Sequence, residues 1–291
     1  MKYDMPLFRP PSEAFSLILQ VTIGCSHNAC TFCGMYKMKK FRVKDWDEIE
    51  SDIVKASHYS DGVDKIFLAD GNALAMDTGQ MLMLLEKLYK TFPDLKRVSS
   101  YAGPRDLLRK TTEDLQKISR AGLKLLYLGV ESGSDDILKG VNKGVTAAEM
   151  MEAGQRAREA GFELSVTVLT GLGGKSKSRE NAVETAALLN GIQPDYIGAL
   201  TLTPTPNTIL YNNLKKGNFS LLNPLENLQE IKWMLEKLTM QKCLFRCNHA
   251  SNYLPLKGML PDDSERLTSL LGDVVRNPEK YKLKPEYLRG L

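Results

Sequence analysis

The chain has 291 residues, of which 43% are hydrophobic and 25% are charged, and its 39 basic and 35 acidic side chains give a net charge of +4. This composition is typical of a globular protein with a sizeable core and excludes a disordered chain. No long block of basic residues is present, so we expect neither nucleic acid nor a membrane surface as a partner.

The cysteines and the N-terminus indicate the compartment. Three of the five cysteines are clustered, which is not the pattern of a secreted disulfide framework, and the first residues lack an apolar signal core. No apolar run approaches the roughly 20 residues of a membrane helix. We therefore expect a reduced, cytoplasmic protein.

Apolar strands alternate with amphipathic helices through the first two thirds of the chain. The predicted strands are 15–23, 65–69, 97–101, 124–130, 163–169 and 196–202. The helices predicted between them are 45–60, 77–92, 111–121, 146–160 and 179–190. This alternation is typical of parallel βαβ units, in which the carboxyl ends of the strands carry the chemistry. We predict an α/β fold, a partial (β/α)6 TIM-like barrel over residues 15–206 that follows an N-terminal extension of residues 1–14.

The alternation stops at Pro206. Residues 207–291 are predicted to form an α-rich C-terminal extension that caps the barrel, with helices at 225–239 and 262–275 and an extended segment at 243–253. A basic run at 37–42 is expected to be a solvated loop, with nucleic-acid contact as the alternative.

Three cysteines, Cys25, Cys30 and Cys33, directly follow the first predicted strand. Spacings of four and then two residues allow the loop to fold back, so that all three sulfurs reach one inorganic core. A cluster of four irons held by three cysteines leaves one iron with an open position, which distinguishes a reactive metal centre from a structural one. The alternatives are a zinc site, with His27 as the fourth ligand, and three unrelated thiols.

The cysteine loop, the aromatic Phe32 before its last cysteine and the βα pattern together resemble the radical S-adenosylmethionine (radical SAM) enzymes. The resemblance covers about residues 15–205, although the commonest family spacing has three rather than four residues between the first two cysteines. It points to the branch of coproporphyrinogen dehydrogenase and methylthiotransferase-like proteins. It implies a [4Fe-4S] cluster on the three cysteines, with S-adenosylmethionine (SAM) chelated to the open iron.

The same resemblance implies a reaction. One electron from a flavodoxin or ferredoxin would cleave SAM to methionine and a 5′-deoxyadenosyl radical, which abstracts hydrogen from a substrate that the sequence does not identify. A non-catalytic iron-sulfur electron-transfer protein and a structural metal-binding protein are the alternatives. No segment of this sequence resembles an RNA-binding module or a cobalamin-binding fold, so we expect neither a methylthiotransferase nor a cobalamin-dependent methylase, and simpler tRNA, peptide or metabolite substrates stay open.

Cofactor-binding residues are carried over from the resemblance by position. Phe32 matches the aromatic residue near the adenine, and Asp70-Gly71-Asn72 follows the second strand, where the family has a turn that meets the methionyl amino group. Glu131 and Ser132 match a fourth-strand segment that helps to hold the cofactor. For Asp70 and Glu131, capping of the following helix is the open alternative.

A basic residue is expected to bind the cofactor carboxylate. Lys143 stands where the branch has an arginine and would act as a point charge without the bidentate fork. Arg105, after the third strand, and Arg158, on the next helix, are competing candidates.

The segment 243–253 is expected to face the substrate. Its candidate residues are Arg246, His249, Asn252 and Tyr253. It resembles a tail seen in uncharacterised radical SAM proteins. Cys243 and Cys247 are interpreted as buried structural cysteines, and a second metal site with His249 is the alternative.

Overall fold

The computed structural model of the protein describes residues 1–58 and 62–290. The strands are β1 Leu17–Gln20, β2 Thr22–Ile23, β3 Arg42–Val43, β4 Lys65–Ala69, β5 Arg97–Ala102, β6 Leu123–Glu131, β7 Glu163–Thr170, β8 Tyr196–Thr201, β9 Cys243–Cys247 and β10 Leu256–Leu260. The α-helices are α1 Trp46–Ser57, α2 Thr78–Thr91, α3 Pro104–Arg109, α4 Thr112–Arg120, α5 Asp135–Gly140, α6 Ala147–Glu159, α7 Ser178–Ile192, α8 Ile209–Lys215, α9 Pro224–Lys237 and α10 Ser264–Arg276.

The main sheet has eight strands in the order β1-β4-β5-β6-β7-β8-β9-β10. The pairs β1–β4, β4–β5, β5–β6, β7–β8 and β8–β9 are parallel, whereas the pair β9–β10 is antiparallel. Among the described residues no pairing joins β1 to β10, so the sheet is not a closed barrel. The predicted α/β fold is confirmed.

One compact unit comprises Met1–Asn28, Met35–Leu128 and Arg156–Leu164. At its centre lies β4, whose Ile66, Phe67 and Leu68 are fully buried because the strand is apolar on both faces. Helix α2 buries four apolar residues at helical spacing and is capped at its start by Asp77, whose side chain accepts from the next backbone N–H groups.

The second compact unit comprises Ala29–Gly34, Gly129–Gln155 and the chain from Ser165 onward. Helix α9 packs against both α7 and α10 in this unit and buries Leu228, Ile231 and Leu235. A capping box of Asn223 and Glu226 starts α9, so its boundary is encoded locally.

Several local features differ from the sequence prediction. The first predicted strand divides, and its end forms β2, which pairs with β3 in a separate sheet. The helix predicted to reach residue 60 ends at Ser57, and residues 59–61 lie outside the described part of the chain. Helices α3, α5 and α8 were not predicted because six or seven residues are too few to reveal a helical period.

Candidate cofactor site

In the first unit, the turn after β4 lies directly against Cys25. The amide of Gly71 donates to the carbonyl of Gly24 at 3.0 Å. A Cβ atom on Gly71 would stand 2.8 Å from that carbonyl oxygen and 2.9 Å from the Cα atom of Cys25. This approach is open only to glycine, so Gly71 helps to position the first cysteine.

Asp70 holds the start of the cysteine loop through a fully buried side chain. Its carboxylate accepts hydrogen bonds at 2.9 Å from Gly24 N, Gln20 Nε2 and Lys39 Nζ. Lys39 is itself buried, which corrects the expectation that the basic run at 37–42 is wholly solvated. The carboxylate can remain buried because it is paired with the Lys39 ammonium and accepts three hydrogen bonds.

Asn72 is buried and binds the cysteine loop at Ser26, the residue after Cys25. Its Oδ1 accepts from Ser26 N at 3.1 Å, and its Nδ2 donates to Ser26 Oγ at 2.6 Å and to Asp106. Burial raises the pKa of Asp106, and its hydrogen bonds from Asn72 and Ser26 oppose that change. Asp106 was not predicted from the sequence because it lies on the short helix α3. The proline at the first position of that helix, Pro104, is a local indication of its start.

In the second unit, the segment that carries Cys30 and Cys33 is bound to a neighbouring turn. Thr31 N donates to Val141 O at 2.9 Å, and the side chain of Asn142 donates to Ala29 O at 3.2 Å. Leu210 N donates to Thr31 O at 3.0 Å. The backbone on both sides of Cys30 is therefore fixed.

Phe32 packs against an apolar cluster in the same unit while its ring stays partly exposed. The cluster consists of Ile137, Val141, Leu172, Leu202 and Leu210. A ring seated in this way offers a flat apolar face.

Glu131 and Lys143, two of the predicted cofactor ligands, form an ion pair with Nζ and Oε1 2.9 Å apart. Burial lowers the pKa of Lys143, but the negative charges of Glu131, Cys30 and Cys33 outweigh that effect and raise it overall. A Cβ atom on Gly129 would stand 2.3 Å from Glu131 Oε1, so the glycine leaves room for the pair. Both residues are predicted from the sequence as cofactor ligands, whereas their ion pair is visible only in the structure.

Ser132 is fully buried and serves the local backbone. Its Oγ accepts from Ser134 N at 3.1 Å, and the following Gly133 N donates to Thr185 Oγ1 at 2.9 Å. Of the competing basic residues, Arg158 lies half-buried in the last turn of α6, and Arg105 is exposed at the start of α3.

A buried carboxylic acid that sequence analysis missed, Glu230 of α9, lies beneath the end of β7. It accepts from Gly171 N and Asn181 Nδ2, each at 2.8 Å, and from Ser178 Oγ. Burial raises its pKa to about 7, and these hydrogen bonds only partly oppose the shift. With Glu131 it lines a cavity of about 10 Å³, close to the volume that one water needs.

The candidates in segment 243–253 differ in their contacts. Asn252 is buried, donates to Ala199 O at 2.9 Å and accepts from Thr201 Oγ1 at 3.0 Å. Tyr253 is also buried and bonds through its hydroxyl to Glu286 and Arg289.

Arg246 and His249 are half-buried. Arg246 lies in β9, in register with Gly198 of β8. His249 Nδ1 accepts from Ser251 N at 3.1 Å, which leaves the ring proton on Nε2, and burial, with Lys284 nearby, lowers the histidine pKa.

The five cysteines fall into two classes. Cys25, Cys30 and Cys33 are half-buried thiols, whereas Cys243 and Cys247 are buried. Burial raises the pKa of Cys247 to about 12, so its thiol stays neutral and is a poor metal ligand.

Within residues 1–58 and 62–290, no three His, Cys, Asp or Glu side chains form a group that could hold a single metal ion. In a [4Fe-4S] cluster each cysteine binds a different iron, so its ligands need not meet at one atom.

None of the helices in the described part of the chain is both long and apolar enough to span a membrane.

Comparison with known proteins identifies relatives that share part of the chain. Heme chaperone HemW of Bacillus subtilis is 29% identical over 161 residues, which cover 54% of this chain and 41% of that protein. A tRNA-2-methylthio-N(6)-dimethylallyladenosine synthase of Syntrophobacter fumaroxidans is 29% identical over 206 residues, which cover 66% of this chain and 43% of the synthase. The chain thus spans less than half the length of these two curated relatives.

Solved structures share the fold at low sequence identity. Coproporphyrinogen III oxidase HemN from Escherichia coli, a radical SAM enzyme, superposes with a TM-score of 0.57 at 21% identity, over 76% of this chain and 50% of that one. Methylornithine synthase PylB superposes with a TM-score of 0.56 at 16% identity, over 93% of this chain and 74% of that one.

The family profile of the Radical SAM superfamily matches residues 19–189, which include the three cysteines, Glu131 and Lys143. Enzymes of that superfamily use a [4Fe-4S] cluster and SAM. The match extends over more than half of the sequence, and the chain belongs to the radical SAM superfamily.

Proposed function

We propose that this chain binds a [4Fe-4S] cluster through Cys25, Cys30 and Cys33 and uses it with SAM to start hydrogen abstraction on a substrate. The observation that carries the proposal is the superfamily match across the three cysteines. The donor set fits such a cluster, since all three thiols are half-buried and free of disulfides. When bound, the cluster and SAM supply a reductive carbon–sulfur cleavage that generates a radical.

The residues of the chain have separate tasks in this proposal. Asp70, Gly71 and Asn72 hold the cysteine loop, and their backbone is the site for the methionyl amino group. Phe32 offers its exposed face to the adenine and excludes water. Glu131 and Ser132, at the end of β6, are proposed to help to hold the cofactor.

Lys143 is proposed to attract the SAM carboxylate, and its ammonium has two further N–H donors besides the one that Glu131 accepts. Arg158 remains the second candidate for that carboxylate.

The substrate is proposed to meet the segment 243–253. Arg246 and His249 are half-buried there, and both carry polar groups suited to orient a substrate. Asn252 and Tyr253 support this segment through the hydrogen bonds described above.

Replacing His249 and Asn252 with alanine is expected to abolish turnover of the true substrate while uncoupled SAM cleavage continues. Unchanged turnover would refute this role.

A low-potential flavodoxin or ferredoxin is proposed as the electron donor, because clusters of this kind lie far below cellular thiols in potential. We propose a cytoplasmic location, where cysteines remain reduced.

Reductive SAM cleavage is the direct test. Protein reconstituted anaerobically with iron and sulfide is reduced with dithionite and mixed with SAM, and 5′-deoxyadenosine is measured. We expect its formation in the wild type and its loss in Cys30→Ser. A brown, reducible protein that forms no 5′-deoxyadenosine would favour an electron-transfer role, and a colourless protein that contains zinc would favour a structural metal site.

A further inference from the structure

We propose that the ammonium of Lys143 raises the reduction potential of the iron-sulfur cluster. Glu131 holds this ammonium, and the turn that carries it is bound to the segment that carries Cys30 and Cys33. This inference rests on the proposed function, because it requires the cluster to bind there. It assigns Lys143 a task that is independent of SAM. Four residues carry it, and all lie in the second compact unit.

The position of Lys143 is set by its backbone. Lys143 N donates to Leu138 O at 2.9 Å, which closes the turn after α5, and the preceding Asn142 adopts the left-handed conformation with a φ of 52°. The same turn accepts Thr31 N at Val141 O and donates from Asn142 to Ala29 O. The turn that carries the ammonium is therefore joined to the segment that carries the two cysteines.

The ammonium is shielded from solvent. The Lys143 and Glu131 side chains are 10% and 12% exposed and bind each other at 2.9 Å. Charges so far removed from water interact more strongly than surface pairs, because the effective dielectric constant is lower. The turn that carries Lys143 is hydrogen-bonded to Ala29 and Thr31, the residues on either side of Cys30, and the charges of Cys30 and Cys33 are among those that raise the pKa of Lys143.

Physical chemistry gives the sign of the effect. Reduction adds one negative charge to the cluster, and a nearby positive charge stabilises the reduced form more than the oxidised form. Glu131 lowers the reduction potential, since the negative charge of its carboxylate partly cancels the positive charge of the ammonium. Removal of Lys143 should therefore lower the potential, and removal of the Glu131 charge should raise it.

The test is a redox titration of the SAM-free holoenzyme at fixed pH, in which electron paramagnetic resonance measures the reduced cluster at each potential. We expect a more negative midpoint potential for Lys143→Met and a more positive one for Glu131→Gln. Lys143→Arg keeps the charge and should stay near the wild type. Lys139→Met is the matched control, because Lys139 is exposed on α5 and its loss removes the same formal charge. Its potential should not change.

Opposite shifts distinguish the electrostatic role from a structural one, because mere loosening of the site would move both variants in the same direction. Shifts of equal sign, or potentials equal to the wild type, would overturn the inference. If Lys143→Met fails to retain iron and sulfide, the Glu131→Gln shift and the Lys143→Arg potential still decide the question. A wild-type protein that assembles no cluster would instead refute the proposed function, and this inference with it.

Discussion

Gly71 occupies a narrow space beside Cys25, one of the predicted cluster ligands. In Gly71→Ala, the new methyl group would stand 2.9 Å from the Cα and Cβ atoms of Cys25, and overpacking of this kind costs roughly 1–3 kcal/mol. We expect the backbone to shift and the reconstituted protein to hold less iron, as measured by iron and sulfide analysis. Gly140→Ala is the control, since no atom lies within 4 Å of its added Cβ. Equal iron in both variants would show that Gly71 does not position Cys25.

Glu230 makes stability depend on pH. Its pKa is raised by burial from 4.5 to about 7, so the folded state binds the proton more tightly than the unfolded state. The stabilising contribution is complete below about pH 4.5 and is lost as the pH rises towards 7, by an amount on the order of 3 kcal/mol.

The Glu230→Gln variant resembles the protonated acid. Its amide can accept from Gly171 and Asn181 and donate to Ser178. We expect its denaturant midpoint to fall less than that of the wild type between pH 5 and pH 8, and exposed Glu236→Gln on the same helix to behave like the wild type. A parallel decline in all three proteins would contradict the assignment.

At the scale of elements, the segment after α10 is fastened by Arg289, whose side chain is 5% exposed. Its guanidinium donates to the carbonyls of Ser251 and Leu202 and to Thr203 Oγ1, and it stacks on the ring of Tyr253. The segment 243–253 is thereby tied to the end of β8.

The Arg289→Ala variant should release this segment, because each hydrogen bond of a charged group is worth about 1.5–3 kcal/mol. We expect faster amide hydrogen exchange at residues 249–253, while exchange within α2 stays unchanged. Arg289→Lys should restore protection only in part, since lysine lacks the planar fork. Exposed Arg276→Ala is the control, and equal exchange in both alanine variants would contradict the role of Arg289.

Short helices explain much of what the element prediction missed. Helix α3 carries Asp106, and α5 leads into the turn that carries Lys143. Both helices have caps or a proline at their start, but neither is long enough for an apolar period to identify it. Longer helices, such as α2 and α9, were predicted within two residues of their ends.

For the whole molecule, burial divides the five cysteines into the three proposed cluster ligands, which are half-buried, and two fully buried thiols. Serine at position 25, 30 or 33 should remove most of the roughly four irons per chain that a [4Fe-4S] cluster contributes. Cys243→Ala and Cys247→Ala should retain them, since both side chains are about 1% exposed and Cys247 remains neutral. Iron analysis and electron paramagnetic resonance test this division. Loss of iron from Cys247→Ala would contradict it, provided that the variant keeps the circular dichroism spectrum of the wild type.

The sequence by itself determined the βα alternation and the placement of three cysteines after the first strand, and these two features were sufficient to indicate the superfamily. Both are local patterns, because strand and helix periods and ligand spacing are properties of neighbouring residues. The prediction that Cys243 and Cys247 are buried is confirmed as well, and it rests on a residue property, since free cysteine is among the most buried residue types.

Only the tertiary structure decided which polar side chains bind each other. Gln20 donates a hydrogen bond to Asp70, 50 positions away in the sequence, and Gly171 donates one to Glu230, 59 positions away. The ammonium of Lys143 donates to Glu131. The addition of β9 and β10 to the main sheet is a decision of the same kind. The physical reason is that a buried polar group must find its partner wherever the packed chain places one, and no periodicity along the sequence records that position.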